Sequence, residues 1–228
     1  MHADYYQNTL YPLQDKVLRI VEKLPVDFYL TGGTALSRAY LHHRYSDDLD
    51  FFVNSIIDFK SQVNTIIKEF GKSGIGFETT VADEGFARIF VFEASNSLKI
   101  DFVNDIPFRS GQPIKTSLFD KTDNLNNILS NKITALGRYS AKDVVDIVFI
   151  CKNHRFNWES IFNDATEKDL WVNPINASEV LEQFPIEKLQ EIVWTNQSPS
   201  GEWIKDLINQ IISDILDGSG NSLYNQSE

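Results

Sequence analysis

The chain has 228 residues, 42% of them apolar, and a net charge of −11. This is enough chain to bury a core in one large domain or two small ones, and the acidic balance argues against broad, charge-driven binding to nucleic acid, which depends on Lys and Arg, while leaving room for a local basic groove. The single cysteine, Cys151, excludes an internal disulfide and fits a reducing, cytoplasmic setting, no apolar run is long enough to span a bilayer, and residues 1–16 lack the basic-then-apolar order of a secretion signal.

Leu10, Leu13, Val17, Val21 and Leu24 recur at three- and four-residue steps and predict an amphipathic helix ending before Pro25. Val26 to Leu30 reads as a strand running into Gly32-Gly33. Thr34 to His42 suits a short helix with Leu36, Ala39 and Tyr40 inward, and Asp48 to Val53 reads as a second strand. Val63, Ile66, Ile67 and Phe70 mark a helix that stops near Gly71. Phe77 to Val81 and Ala87 to Glu93 read as strands around an Asp83-Glu84-Gly85 turn. Leu98 to Asn104 reads as a further strand, with Lys99, Asp101 and Val103 on one face and Ile100 and Phe102 on the other.

Beyond Pro107 the pattern changes. Ile114 to Leu118 reads as a short strand. Helices are predicted at Leu125–Leu136, Lys142–Ile150, Trp158–Phe162, Ala177–Phe184, Ile186–Trp194 and Trp203–Leu216, followed by a frayed polar tail from Gly218. The expected division is an α/β core over residues 1–115 and a helical domain over 116–228.

Three carboxylates stand out, Asp48, Asp50 and Asp101, each flanked by apolar residues in a strand-like run. Alternate side chains of a strand share a face, so Asp48 and Asp50 point the same way while Leu49 and Phe51 turn inward. Carboxylates gathered on neighbouring strands repel one another unless a cation resolves the conflict, and two divalent metals held this way suit phosphoryl chemistry. Gly32, Gly33 and Thr34 allow close backbone approach to a phosphate. Fourteen residues separate Gly33 from Asp48, room for one short helix and a return strand. Asp143 and Asp146 lie on one face of an otherwise apolar helix, with Lys132 and Arg138 upstream as partners. Lys132 or Arg138 with Asp143 reads as a structural ion pair, or as a means of aiming Lys132, and the two readings are compatible.

The run Tyr29-Leu30-Thr31-Gly32-Gly33-Thr34-Ala35-Leu36, then Arg44-Tyr45-Ser46-Asp47-Asp48-Leu49-Asp50-Phe51-Phe52, resembles the AbiEii/AbiGii toxin family of nucleotidyltransferases, part of the polymerase-β-like superfamily. Asp101 in Leu98-Lys99-Ile100-Asp101-Phe102-Val103 is similar to that family's third Asp. Lys132 and Lys142-Asp143-Val144-Val145-Asp146-Ile147 are similar to its later Lys and Arg/Lys-Asp-x-x-Asp-Leu elements, departing at Lys142 and Ile147.

The resemblance covers residues 28 to about 150 and implies an α+β fold: a nucleotidyltransferase-type mixed sheet with flanking helices, then a C-terminal helical bundle. It implies transfer of a nucleoside monophosphate from an NTP to an acceptor hydroxyl. Asp48, Asp50 and Asp101 would hold Mg²⁺, in a two-metal site. Gly32, Gly33, Thr34, Arg44, Lys132 and Asp146 would contact the nucleotide, and Asp143 would position Lys132 or the base. The implied partners are an RNA acceptor such as the 3′ end of tRNA and an antitoxin protein. An RNA acceptor needs a basic patch, for which Lys72, Arg88, Lys115, Lys121, Lys132, Arg138 and Lys142 are the candidates. The rival readings are a small-molecule nucleotidyltransferase of the antibiotic-modifying kind and a non-catalytic nucleotide- or partner-binding protein.

Weaker candidates read as structure. His42 and His43 are expected in solvent or in a loop contact, Arg44 on Asp47 or a phosphate, Cys151 in the core. Trp158, Trp171, Trp194 and Trp203 are expected to pack rather than stack on bases.

Overall fold

The computed structural model of the protein describes residues 2–226. The chain divides into two compact units. The first takes residues up to Tyr40, then Tyr45–Pro107 and Gln112–Asp123; the second takes Leu41–Arg44, Phe108–Gly111 and the chain from Asn124 onward.

The first unit opens with α1 (His2–Tyr5), which passes through a π-helical turn (Tyr6–Leu10) into α2 (Tyr11–Glu22). Helix α2 buries Leu13, Val17, Leu18 and Val21, the stripe that its three- and four-residue spacing dictates. Strand β1 (Tyr29–Thr31) leads into α3 (Gly32–Thr34), which continues as a π-helical segment, Ala35–Leu41. Then follow β2 (Leu49–Asn54), α4 (Phe59–Lys72), β3 (Gly76–Ala82), β4 (Phe86–Glu93) and β5 (Asn96–Asp105). The strands form one mixed sheet in the order β1-β2-β5-β4-β3, with β2 and β5 parallel and the other neighbours antiparallel.

Alternation sorts the side chains. Leu49, Phe51 and Val53 of β2 and Leu98, Ile100 and Phe102 of β5 are buried on one face. Phe28, Phe51 and Phe102 meet there at ring separations of 5.0 and 5.3 Å, with Phe59 of α4 5.8 Å from Phe28. The opposite face carries Asp50, Lys99 and Asp101.

The second unit holds α5 (Leu125–Thr134), α6 (Ala141–Asn153), α7 (Trp158–Lys168), α8 (Pro174–Glu182) and α9 (Gly201–Leu216), with shorter 3₁₀ turns between them. Four of these helices start on polar caps: Asn124, Asn157, Asn173 and Ser200 each accept a backbone N–H of the first turn. Helix α6 is buried almost all round, and Cys151 lies in that core. No described helix is long and apolar enough to cross a membrane.

Several expectations are corrected. Ile114 to Leu118 is no strand; Ile114 makes one isolated bridge to Thr122, and its side chain is exposed. Leu36 is buried after the glycines, as expected, but its buried companions are Ala35 and Ser37 while Ala39 and Tyr40 are half-buried, because π-helical winding shifts the facing residues. Ile186–Glu191 is a 3₁₀ turn, shorter than the predicted helix. Trp171 is 86% exposed, in the connection before α8, so it does not pack as expected. The tail is not frayed over its described part: Asn221 donates to the Cys151 and His154 carbonyls at 2.6 and 2.8 Å, and Leu223 is buried. Residues 227 and 228 of that predicted tail lie outside the described residues.

Candidate active site

In the first unit, β1 delivers the chain to Gly32, whose φ of +69° few side chains tolerate. A Cβ built on Gly32 would collide with Asp50 Oδ2 and stand 3.1 Å from its Cγ. The glycine is therefore what lets the Asp50 carboxylate lie against the turn. Thr34 Oγ1 donates to the Asp48 carbonyl, fastening the helical segment to the residue just before β2. The parallel register places Asp50 beside Asp101, and the antiparallel register places Arg88 opposite Asp101. The three predicted carboxylates thus meet on one sheet face.

Two cations meet them. Arg88 Nε and Nη2 donate to Asp101 Oδ1 and Oδ2 at 2.7 and 2.8 Å, a two-pronged fork. Lys99 pairs with Asp48 Oδ2 and stands 3.5 Å from Asp101 Oδ2. Burial works to lower the Lys99 pKa, but the bond to Asp48 and the charges of Asp48, Asp101 and Asp50 outweigh it and raise it. With these cations in place, no three acidic, histidine or cysteine side chains among the described residues are arranged around a common metal position. The donor chemistry nevertheless fits a hard divalent cation, being carboxylate oxygens on a backbone fixed by the β2–β5 ladder.

A fourth carboxylate supports the turn from behind. Residues around Thr122 run alongside β1: the Leu30 N–H donates to the Lys121 carbonyl at 2.9 Å and the Asp123 N–H to the Leu30 carbonyl at 2.8 Å. This puts the buried Asp123 carboxylate 2.6 Å from Thr31 Oγ1, which donates to it, while Tyr40 Oη donates to the Asp123 carbonyl at 2.6 Å. Nothing in the sequence around Asp123 singled it out.

The second unit contains the other predicted site residues. Asp146, fully buried, receives Arg44 Nε and Nη2 at 2.7 Å each, His43 Nε2 at 2.9 Å and Lys132 Nζ at 2.8 Å. Lys132 also donates to Asp143 Oδ1 at 2.7 Å, and Arg138 reaches Asp143 Oδ2 at 3.1 Å. The predicted ion pair between Lys132 and Asp143 is therefore present, and Asp146 shares the same lysine. Burial works against the charged Asp146, but Arg44 and Lys132 hold its carboxyl well below the usual range. For Lys132, burial lowers and the two aspartates raise, with a net upward shift.

One expectation changes and one is narrowed. Arg44 forks onto the buried carboxylate of Asp146, a partner the sequence did not suggest, in the geometry a guanidinium favours. Of the two alternatives expected for His43, solvent or a loop contact, it takes a buried contact, with Asp146, and burial lowers its pKa against the raising effect of that carboxylate. His42 is exposed, as expected.

A family model described as nucleotidyl transferase AbiEii toxin, of type IV toxin–antitoxin systems, matches residues 18–213. The chain belongs to the AbiEii family. It is a nucleotidyltransferase by that membership. Two solved Helicobacter pylori structures are similar in fold. JHP933 superposes with a TM-score of 0.64 at 19% identity, covering 96% of this chain and 94% of its own. A second protein, described as a candidate nucleotidyltransferase, gives a TM-score of 0.62 at 17% identity over 95% of this chain and 97% of its own. No curated protein matches the chain in sequence.

The carboxylate face of the sheet, described above, is the candidate site in this AbiEii chain. The sequence reading named the three aspartates of this face as metal ligands and Arg88 for an RNA patch rather than for Asp101, and gave Lys99 a place on the Asp101 face but no role. The signal for Lys99 was present, since it shares a strand face with Asp101.

Proposed function

We propose that this AbiEii protein transfers a nucleoside monophosphate from an NTP to an acceptor hydroxyl, with Mg²⁺ held on the face of Asp48, Asp50 and Asp101. The observation that carries the reading is the in-register placement of Asp50 beside Asp101, against the Cβ-less surface of Gly32. Carboxylates repel when gathered without cations, and a chain that assembles three of them beside a glycine turn has a use for positive charge there. When bound, a divalent ion supplies Lewis acidity to a phosphate. Asp48 and Asp50 hold it. Asp101, kept in place by Arg88, orients the acceptor hydroxyl and takes up its proton or shares the ligand set.

The open turn of Gly32 and Gly33 accepts phosphate oxygens through the backbone, and Thr34 keeps that turn joined to Asp48. For Lys132 the reading is phosphate contact, with Asp143 and Asp146 keeping the ammonium charged and in position. As the toxin of a two-component system, the chain has an antitoxin counterpart.

RNA is the first acceptor to test, the 3′ end of tRNA included. A small-molecule hydroxyl is the second, favoured by one observation. Of the basic residues an RNA would need, Lys72, Arg88, Lys115, Lys132 and Arg138 are each paired with a carboxylate. Incubation with each α-labelled NTP and Mg²⁺, against separate RNA, protein and small-molecule pools, tests the reading. Label on RNA supports the first acceptor and label on a small molecule the second. Label transferred to none of them under any NTP would refute transferase activity on these classes.

A further inference from the structure

The two cations on the carboxylate face are built differently. Arg88 grips Asp101 with both prongs of its guanidinium, sits opposite it in the ladder, and lies over the Phe86 ring at 5.3 Å. That is a fixed element, which holds Asp101 in one orientation. Lys99 is a point charge on a flexible stem, with one close contact to Asp48 and a looser one of 3.5 Å to Asp101. Its side chain remains 32% exposed, so it has a way out to water. Lys99 therefore serves two carboxylates of this face, Asp48 and Asp101, while Arg88 serves Asp101 alone.

We propose that Lys99 is an exchangeable resident cation: it neutralises Asp48 and Asp101 in the resting protein, and a divalent metal takes its place. The inference rests on the metal assignment made above and adds a residue to it. Lys99 and a divalent ion want the same oxygens, Asp48 Oδ2 above all, so both cannot hold them together. A divalent charge displaces a monovalent ammonium from such oxygens with a net gain in Coulomb attraction. Displaced, Lys99 stays tethered two residues from Asp101 and carries its charge toward the phosphates that arrive with the metal. The resting site thereby avoids three uncompensated carboxylates without needing a permanently bound ion. Arg88 plays no part in the exchange, because its fork is satisfied in both states.

The test uses the full chain without nucleotide. Binding of Mn²⁺ alone is followed by the loss of its free paramagnetic signal, for the wild type and for Lys99→Met, which keeps the apolar stem. Removing the competing charge should tighten Mn²⁺ binding by about tenfold or more. In parallel, ¹³C-labelled lysine in the wild type reports Lys99 directly. Adding Mg²⁺ should move its Cε resonance to the position of a solvated lysine, and adding the same concentration of NaCl should not. Unchanged or weaker Mn²⁺ binding by Lys99→Met, or a Lys99 resonance indifferent to Mg²⁺, overturns the exchange while leaving the metal assignment standing. A wild type that binds no Mn²⁺ at all overturns both. Should Lys99→Met fail to fold, the wild-type resonance alone decides.

Discussion

Replacing Asp146 by Ala removes the hub of the second unit's buried charge. The carboxylate is fully buried and takes four close contacts, two at 2.7 Å from Arg44, one at 2.8 Å from Lys132 and one at 2.9 Å from His43. Alanine leaves the Arg44 fork, itself only 2% exposed, without its carboxylate, and leaves Lys132 with half its compensation. Breaking a buried pair from one side costs about 3–5 kcal/mol, because the stranded charge keeps its desolvation penalty. At a urea m-value of about 1.5 kcal/mol/M the midpoint falls by about 2–3 M. The assay is convenient, since all four tryptophans, Trp158, Trp171, Trp194 and Trp203, belong to this unit, so their fluorescence reports it selectively. The pH dependence carries a definite sign. The folded Asp146 pKa lies below the unfolded one, so its contribution is complete above about 3.9 and is lost as pH falls through the folded value. The gap between wild type and variant should therefore not close between pH 8 and about 5, and should narrow only below about 4. A midpoint shift under about 0.5 M, or a gap that closes near neutrality, would refute the account of Asp146 as a buried, ionised hub.

Three further outcomes are expected. Gly32→Ala forces a side chain into a left-handed turn, at about 1–2 kcal/mol, and pushes Asp50 off the turn, so turnover should fall about 10²-fold with a small loss of thermal stability by circular dichroism; near-normal turnover would show that Asp50 need not lie against that glycine. Asp50→Asn should abolish Mg²⁺-dependent NTP turnover with an unchanged circular dichroism spectrum, and retained turnover would remove Asp50 from the metal set. Thr31→Val withdraws a 2.6 Å donor from the buried Asp123 carboxylate and should lower stability by about 1.5–3 kcal/mol, measured by thermal unfolding against wild type; no loss would mean that Asp123 is satisfied without it.

Elements set by local periodicity were legible in the sequence. The α2 stripe, the α4 stripe and the alternation in β2 and β5 follow from spacing alone, and they carry Asp50 and Asp101 to the same face. What was not legible depends on distant partners. Arg44 and Asp146 lie 102 positions apart, and nothing local distinguishes a fork bound to carboxylate from one bound to phosphate. Asp123 looks like an ordinary residue before an Asn helix cap until Leu30 pairs with Thr122. The shared face of Lys99 and Asp101 was legible, but the pairing of Lys99 with Asp48, from the residue just before β2, was not. The π-helical winding after the glycines changes which side chains face inward without any composition signal, since a helical segment of either pitch reads alike over seven residues.

The strand order has a consequence for pairing between copies of the sheet. A sheet with open sides invites a second copy to add its own strands, the first step toward insoluble polymer. On one side, the run around Thr122 already occupies the outer hydrogen-bonding groups of Leu30. On the other, β3 breaks register between Thr79 and Val81 and presents exposed Glu78. A kinked, charged border is a poor template for pairing, and with an acidic chain around it each molecule repels the next. The sheet that gathers the carboxylates is thereby covered at one border and a poor template at the other.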